Sequence, residues 1–389
     1  MFEGLAKLRR VVVATDASGR SGIMSDGVPP VKAPQMGSGR AYVNLWVWEK
    51  APLALEPTND PAVLDYDFPG PKKGGHVRVV QANSSSGDGA DARDTVPLHE
   101  VRAVPPGGMW DRGGSDAYTS PMHKTQTVDY AVLLAGERLL VLDDRELPLK
   151  PGDTVVQVGA FHRWASPRQS GLMAFDMISA DFVDGDIGLA QGSDVPMVAG
   201  REFKWPAGVE PVRRVVTIDR EPGVSCVVSD GPSPDVRFDP ARPGYASTRL
   251  WVAQATPAPI VTETLHLPHT IEPPATGSVF RMVTIPPDDN WRGKSQKREI
   301  EAFFSSMGSS SACRYSSSAA HPYMQKTNTV DFCFVVKGTP TLYLDSAAVE
   351  FKNGDSVIVR GSSHAWGNRS QSPAMVAICS HDAASGSWR

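Results

Sequence analysis

Hydrophobic residues along the chain fall in short runs rich in valine and leucine, such as "YAVLLA" (130–135), "DTVVQV" (153–158) and "DSVIVR" (355–360). Turn-forming stretches such as "KPGD" and "KNGD" separate the runs, and glycine and proline are frequent, at 35 and 33 residues. Short β-branched runs between such turns are typical of an all-β sandwich or barrel. Helical periodicity is nearly absent, with one short helix predicted around "KREIEAFFSSM" (297–307).

Two stretches of the chain repeat each other almost residue by residue. "MHKTQTVDYAVLLAG" occupies 122–136 and "MQKTNTVDFCFVVKG" occupies 324–338. The matched pairs, each 202 positions apart, are His123 and Gln325, Asp129 and Asp331, and His162 and His364. A constant offset over this length excludes an insertion in either copy, so the chain is predicted to be an internal duplication.

The duplication extends into the flanking sequence. Further matches join 8–30 to 212–234, 44–52 to 249–257 and 101–110 to 280–291. The first half carries an insert at about 56–98, whose low-complexity "ANSSSGDGADARD" predicts an exposed loop. Proline and glycine cluster at 195–211, so we predict an N-terminal domain over 1–200 and a C-terminal domain over 201–389.

Length and charge narrow the range of partners. At 389 residues the chain is long enough for two domains, each with its own core. The net charge of −4 is spread over both halves without basic blocks, which argues against nucleic acid or an anionic membrane as a partner. No apolar run approaches the roughly 20 residues that span a bilayer, so no membrane contact is expected.

Targeting and redox features predict a cytoplasmic protein. The opening "MFEGLAKLRRVVV" lacks the order of a secretion signal. The four cysteines all lie in the second half, and no two of them form a CxxC motif. A disulfide framework would serve both halves, so reduced thiols are expected.

Strand parity predicts which side chains share a face, because successive residues of a strand point to opposite sides. In "HKTQTVD", one face carries His123, Thr125, Thr127 and Asp129, and the other carries Lys124, Gln126, Val128 and Tyr130. In "FHRWAS", the residues on one face are His162, Trp164 and Ser166. If these faces look into a barrel, it holds a polar cluster beside a tryptophan. Tyr130 is then expected to pack in a core and Lys124 to be solvated.

The spacing of histidine, aspartate and glycine in each copy resembles the two sequence motifs of the cupin superfamily. The recurring elements are Gly136 and Gly338, "PGD" at 151–153 and "NGD" at 353–355, Gly159 and Gly361, and His162 and His364. The resemblance implies jelly-roll β-barrels, and two copies imply a bicupin, an all-β chain of two tandem jelly-roll barrels. Barrels of this type often pair through their outer sheets, so a homodimer is a further expectation.

Cupins with metal centres usually carry two histidines two residues apart, a glutamate soon after, and a histidine in the second motif. By this resemblance His123 and His162 fit the outer positions, whereas Thr125 replaces the second histidine and Asp129 replaces the glutamate. In the second half Gln325 stands at the place of the first histidine. We therefore expect a working site in the first barrel and a lost one in the second.

Two chemistries fit His123, Asp129 and His162. As a two-histidine, one-carboxylate set they would hold a weakly bound divalent metal, either Fe(II) or Mn, Ni or Zn. Without a metal, one imidazole would act as a general base that Asp129 orients. Asp129 also has a structural alternative, a hydrogen bond to threonine, because an aspartate persists in the half that lacks the first histidine. The residues predicted to contact a substrate are Thr125, Thr127 and Trp164.

Three functions remain open at this point, all with a small-molecule partner. The first is proton-transfer chemistry (isomerisation, cyclisation, dehydration or decarboxylation) on a small oxygenated compound of aromatic or polyketide-like type, as in secondary metabolism. The second is an Fe(II)-dependent dioxygenase, which the missing second histidine disfavours. The third is a non-catalytic bicupin that binds a small molecule. Proton transfer requires the fewest residues, so it is the function we predict.

Overall fold

The computed structural model describes residues 3–30, 39–56, 59–64, 70–84, 109–116, 118–182, 194–221 and 223–385. Residues 85–108, which include most of the low-complexity stretch "ANSSSGDGADARD", lie outside these ranges. The helices within them are α1 (Glu3–Ala6) and α2 (Lys297–Ser306), and α2 confirms the helix predicted from the sequence. Neither of these helices is long and apolar enough to cross a lipid bilayer.

Strands dominate the chain, as predicted. The described strands of the first half are β1 (Arg10–Thr15), β2 (Ser21–Gly27), β3 (Arg40–Trp48), β4 (Leu53–Ala54), β5 (Gly75–Ala82), β6 (Met109–Asp111), β7 (His123–Thr125), β8 (Thr127–Ala135), β9 (Arg138–Val141), β10 (Glu146–Leu149), β11 (Thr154–Val158), β12 (Arg163–Ala165) and β13 (Gly171–Asp181). Those of the second half are β14 (Arg213–Glu221), β15 (Val224–Pro232), β16 (Asp235–Phe238), β17 (Ala246–Ala253), β18 (Ala258–Pro259), β19 (Ser278–Ile285), β20 (Thr329–Lys337), β21 (Thr341–Leu344), β22 (Ala348–Glu350), β23 (Ser356–Arg360), β24 (His364–Gly367) and β25 (Ala374–Ala384).

Each barrel is a jelly roll made of one large and one small sheet. The first large sheet has the strand order β15-β14-β11-β8-β13-β5-β3, and the small sheet β10-β9-β12 packs against it. The second has the order β16-β17-β19-β25-β20-β23-β1-β2 and is packed against β22-β21-β24. The repeated glycines adopt the left-handed conformation in both halves, with φ of 73° at Gly136 and 76° at Gly338. Only glycine adopts this turn without strain, which explains its recurrence.

The first hairpin of each half adds to the large sheet of the other half. β1 runs parallel to β23, with Arg10 opposite Ser356. β14 runs parallel to β11, with Arg214 opposite Thr154. The N-terminal strand of the first half is thus part of the second barrel. The division of the chain at 200/201 stays a prediction about the sequence, because each barrel uses strands from both sides of it.

The aspartates of the repeated turns anchor the exchanged strands. Asp153 accepts a hydrogen bond from the backbone N–H of Lys150 at 3.1 Å. It also forms an ion pair with Arg213 of β14 at 2.9 Å. Asp355 makes the equivalent ion pair with Arg9, beside β1, at 3.5 Å. The duplicated turn therefore holds its own loop and, at the same time, the hairpin that the other half contributes.

The apolar core lies in three layers. One lies inside each barrel, between its large and small sheets, and the third lies between the two large sheets. Val128 and Tyr130 of β8 belong to this shared layer, whereas Ala131 and Leu133 face the first barrel. The Tyr130 ring stacks on Phe280 with ring centroids 5.1 Å apart, so its predicted packing role is confirmed. Burial of this shared face stabilises the arrangement of the two barrels.

One predicted repeat match is wrong. β5 (Gly75–Ala82) occupies the place in the first barrel that β19 (Ser278–Ile285) occupies in the second, since each pairs with the long last strand of its barrel. The strand-forming counterpart of β19 therefore lies inside the supposed insert, and not at 101–110. Arg78 and Arg281 are 203 positions apart (281 − 78), almost the 202 that separate His123 from Gln325, so the first half carries no long insert after β5.

Candidate active site

A partly open cavity of about 70 Å³ lies inside the first barrel. Its polar lining consists of Arg40, Arg78, Ser120, His123, Asp129, Arg138 and His162. Its apolar lining consists of Val80, Trp164, Phe175 and Met177. Four of the residues that the sequence predicted for the site, His123, Asp129, His162 and Trp164, thus come together in one cavity. The strand parity that predicted them is the physical reason, because alternate residues of β8 and β12 face the barrel interior.

The two histidines are held against each other by the backbone. His123 and His162 form an antiparallel bridge, with N–H···O distances of 2.9 and 2.8 Å. Their ring centroids lie 4.5 Å apart with the planes tilted by 53°. Because the bridge places the two residues opposite each other on neighbouring segments, both imidazoles point into the same space.

The tautomer of both rings follows from their partners. Nδ1 of His123 lies 2.8 Å from the carbonyl oxygen of Pro121, and Nδ1 of His162 lies 2.9 Å from that of Ala160. A carbonyl oxygen can only accept, so each Nδ1 carries a proton and donates it. In the neutral ring the basic nitrogen is therefore Nε2.

Burial keeps both rings neutral. It lowers the pKa of His162 well below the ordinary histidine value, and the neighbouring His123 ring lowers it further. Burial also lowers the pKa of His123, although the hydrogen bond to Pro121 acts in the opposite direction. At neutral pH the cavity thus holds two uncharged imidazoles, each able to accept a proton at Nε2.

Asp129 does not orient a histidine, which was the first of the two roles expected of it. The two backbone carbonyls orient the imidazoles, and Asp129 instead interacts with the hydroxyl of Thr127. Burial raises the pKa of Asp129 to about 7, because the charged carboxylate is disfavoured away from water. In the described part of the chain, its Oδ1 has no hydrogen-bond partner. Asp129 is therefore a carboxyl group that retains a proton close to neutral pH.

The two threonines do not line the cavity. The hydroxyls of Thr125 and Thr127 lie 2.7 Å apart and bond to each other. Thr327 and Thr329 do the same at 2.7 Å in the second barrel. A pair present in both halves belongs to the barrel itself. The expectation that these threonines contact a substrate stays a prediction, and their geometry favours a structural role.

The residues present do not fit a three-ligand metal centre. Over the described ranges, no group of three or more histidine, cysteine, aspartate or glutamate side chains is arranged to hold a metal ion. The hydroxyl of Thr125, which stands where metal-binding cupins carry their second histidine, is engaged by Thr127. The cavity offers two imidazole donors, and a stable site of this class generally needs at least one more.

A buried lysine was missed by the sequence reasoning. Lys124 was expected to be solvated, but it is 2% exposed and forms a 2.9 Å ion pair with Asp219 of β14. The other carboxylate oxygen of Asp219 accepts a hydrogen bond from the backbone N–H of Phe161 at 2.9 Å. Asp219 thus binds the residue next to His123 and the residue next to His162. An exchanged strand of the second half positions both histidines of the first barrel.

Three arginines in the cavity wall were also missed. Arg40, Arg78 and Arg138 lie on β3, β5 and β9, and all three line the cavity. Strand parity would have found Arg78, because its neighbours Val77 and Val79 belong to the shared core on the opposite face. Arg138 lies two residues beyond the turn glycine Gly136, where no regular strand pattern points to the cavity.

The corresponding space of the second barrel is smaller. Gln325 occupies the place of His123, and its Nε2 lies 3.2 Å from Nε2 of His364. Phe303 and Phe304 of α2, together with Met307, line a cavity of about 40 Å³. The sequence predicted the loss of the histidine, but it did not predict that α2 lines the barrel interior.

Replacing Asp219 should destabilise the fold through Lys124. Asp219→Asn keeps an acceptor for Phe161 but leaves a buried ammonium group without its counter-charge. We expect the free energy of unfolding, measured by urea denaturation, to fall by about 3–5 kcal/mol. The double variant Asp219→Asn/Lys124→Met should be more stable than Asp219→Asn alone. If the effects of the two single substitutions simply add, the ion pair does not couple the two halves.

Asp129→Asn should change how stability depends on pH. The folded pKa of about 7 lies above the ordinary value of 3.8, so the folded protein binds more protons between these values and wild-type stability falls as pH rises through them. The variant should gain on the order of 4 kcal/mol relative to wild type between pH 4 and pH 8. Asp230→Asn is the control, because Arg213 lowers the pKa of Asp230. An Asp129→Asn curve parallel to that of wild type would contradict this assignment.

Comparison with known proteins finds relatives of parts of the chain. No family model matches the chain. Phomopsin biosynthesis cluster protein D of Diaporthe leptostromiformis is 31% identical over 145 residues, which cover 34% of this chain and 76% of that protein. Phomopsin biosynthesis cluster protein C' of the same organism is 41% identical over 70 residues, covering 17% of this chain and 37% of that protein.

Solved structures with a similar fold include AerE from Microcystis aeruginosa, with a TM-score of 0.38, 9% identity, and coverage of 90% of this chain and 96% of that chain. A cupin 2 conserved barrel domain protein from Leptotrichia buccalis has a TM-score of 0.33, 8% identity, and coverage of 79% and 83%. With its duplicated motifs and paired jelly-roll barrels, the chain has the architecture that its resemblance to bicupins implied, and it belongs to the same family as phomopsin biosynthesis cluster protein D.

Proposed function

We propose that the first barrel catalyses proton transfer on a small oxygenated compound without needing a metal ion. The observation that carries this proposal is the pair of neutral imidazoles, His123 and His162, whose Nδ1 atoms donate to backbone carbonyls and whose basic Nε2 atoms serve the cavity. A positioned imidazole of lowered pKa is a general base at neutral pH.

The chemistry needs a base and an acid in one cavity. Nε2 of His123 or His162 takes a proton from a carbon next to a carbonyl group, and the electron pair of that C–H bond becomes the double bond of an enol. Asp129, with a pKa of about 7, is a group that can give a proton to the carbonyl oxygen. Two kinds of titratable group with separated pKa values in one site suit acid and base roles. Isomerisation, cyclisation, dehydration and decarboxylation can all use such a step.

The remaining wall suits a flat, unsaturated substrate. The Trp164 ring stands edge-on to Phe175 with centroids 5.6 Å apart, and edge-on to His162 at 5.9 Å. Aromatic and thioether side chains on this side of the cavity, opposite polar groups, are typical of small-molecule sites. We infer that an aromatic or polyketide-like part of the substrate packs here.

The biosynthetic setting of the relatives supports the same class of substrate. Both matched proteins of Diaporthe leptostromiformis are named for phomopsin biosynthesis. By extension, this chain acts in secondary metabolism, on an intermediate and not on a macromolecule.

Hydrogen–deuterium exchange tests the proposal. In D₂O, the protein should speed deuterium incorporation next to the carbonyl of phenylpyruvate or phenylacetone above the buffer rate, followed by NMR. His123→Gln and His162→Gln should each lower the enzymatic rate by about 100-fold or more, because general-base catalysis contributes at least that much. Treatment with a chelator should leave the rate unchanged.

His123→Gln gives the first barrel the residue of the second, so its backbone bridge should persist. The control variant is Gln325→His, which restores the histidine pair in the barrel whose smaller cavity Phe303 and Phe304 line, and it should not add activity. The proposal is wrong if no exchange above buffer occurs with either probe, or if His364→Gln abolishes exchange while His123→Gln does not. Activity that requires Fe(II) and oxygen would favour the dioxygenase instead.

A further inference from the structure

We infer that the substrate of the first barrel is an anion whose carboxylate or phosphate group binds between Arg138 and Arg40. This inference rests on the proposed function for its setting, because it names the chemical class of the compound on which the histidines act. The contacts, the burial and the charge of these two arginines support the inference.

Arg138 is a buried cation with little to bind. It is 2% exposed, and its Nη1 donates a hydrogen bond to the hydroxyl of Ser166 at 3.2 Å. Across the described residues, its Nε has no hydrogen-bond partner and no carboxylate lies within ion-pair distance. A guanidinium group has five N–H donors in a planar fork that matches two oxygens of one anion. The described part of the chain supplies no acceptor for most of these N–H groups of Arg138.

Arg40 adds a second positive charge beside the first. It donates to the backbone oxygen of Asp116 at 3.3 Å, and its Nε is buried without a hydrogen-bond partner among the described residues. Burial lowers the pKa of Arg138 to about 9, and the charge of Arg40 acts in the same direction. Two like charges that destabilise each other in a cavity are stabilised when an anion enters between them.

A buried arginine with a structural role looks different in the same protein. Arg214 is 1% exposed, and its Nη1 and Nη2 donate to the two carboxylate oxygens of Glu263 at 3.1 and 2.7 Å. The barrel thus satisfies a buried guanidinium with a carboxylate where only stability is required. For Arg138 that carboxylate is missing from the described residues, and the position it would take lies in the cavity.

The second barrel lacks both arginines. The residue 202 positions after Arg138 is Pro340, and the residue that pairing of β3 and β17 places opposite Arg40 in the repeat is Tyr245. Arg281, by contrast, matches Arg78. Cations at these two positions therefore occur only in the half that has the histidine pair, as expected if they serve the same ligand. Arg242, which lines the second cavity, has a carboxylate partner instead, Asp239 at 2.7 Å.

The size of the cavity favours a carboxylate end on a flat molecule. A cavity of about 70 Å³ is smaller than the roughly 150 Å³ that encloses benzene, so an anionic head group fits inside while the rest extends through the opening. Trp164 and Phe175 then contact the atoms nearest the head group. A phosphate offers the same oxyanion chemistry in a larger, tetrahedral form, and the experiment separates the two.

The test measures binding of benzoate, benzamide and inorganic phosphate to the full-length protein by isothermal titration calorimetry. Benzoate should bind and benzamide, its uncharged counterpart, should bind at least 10-fold more weakly. In Arg138→Met, benzoate affinity should fall by about 10- to 100-fold, since hydrogen bonds to charged groups contribute roughly 1.5–3 kcal/mol. Phosphate binding in place of benzoate, lost equally in Arg138→Met, assigns the site to a phosphorylated substrate.

Thermal unfolding of the ligand-free variants keeps the test decisive. Arg138→Met removes an unpaired buried cation, so the melting temperature should stay level or rise. Arg214→Met is the matched control, and its melting temperature should fall sharply because Glu263 is left buried and unpaired. A fall in Arg138→Met as large as in Arg214→Met, or unchanged benzoate binding in Arg138→Met, overturns the inference. Binding is measured at equilibrium without turnover, so this result is independent of the deuterium exchange.

Discussion

The buried carboxylate of Asp219 joins the two halves of the chain at the point where the site is built. It lies on β14, the strand that the second half contributes to the first large sheet, and it binds Lys124 and the backbone of Phe161. Burial raises the pKa of Asp219 above its ordinary value, although Lys124 acts against this. Because the same carboxylate joins β14 to the residues beside both histidines, the addition of β14 to the first large sheet and the placement of the histidines depend on one group.

The two halves share one backbone fold but differ in the side chains around the cavity. Thr15 stands in β1 where Asp219 stands in β14, and its hydroxyl reaches only as far as the Ser362 hydroxyl, at 3.1 Å. The second barrel thus lacks an equivalent of Asp219, the first histidine and the cation of Arg138, and residues of α2 line its cavity. These differences lie in one place, around the cavity, while the ladders, the glycine turns and the threonine pairs are shared. The second half acts on the site from outside, through β14.

Much of the architecture could be predicted from the sequence, because strand parity and repeat register are local properties. They placed His123, Asp129, His162 and Trp164 in one cavity, and they separated Tyr130 into a core. Contacts between the halves could not be predicted in this way, since nothing in the sequence links Lys124 to a residue 95 positions away. Of the two roles left open for Asp129, the structure shows the bond to threonine, and the backbone carbonyls that orient the imidazoles leave no trace in the pattern of side chains.

The central claim is that the first barrel holds two neutral imidazoles with Nε2 as the basic nitrogen. Nitrogen NMR of protein labelled with ¹⁵N at the histidine rings, assigned with His123→Gln and His162→Gln, measures this directly. At pH 7 both rings should show a proton on Nδ1 and none on Nε2, and both should shift when benzoate is added while His364 does not. A charged ring, a proton on Nε2 of either residue, or a benzoate response confined to His364 would contradict the account.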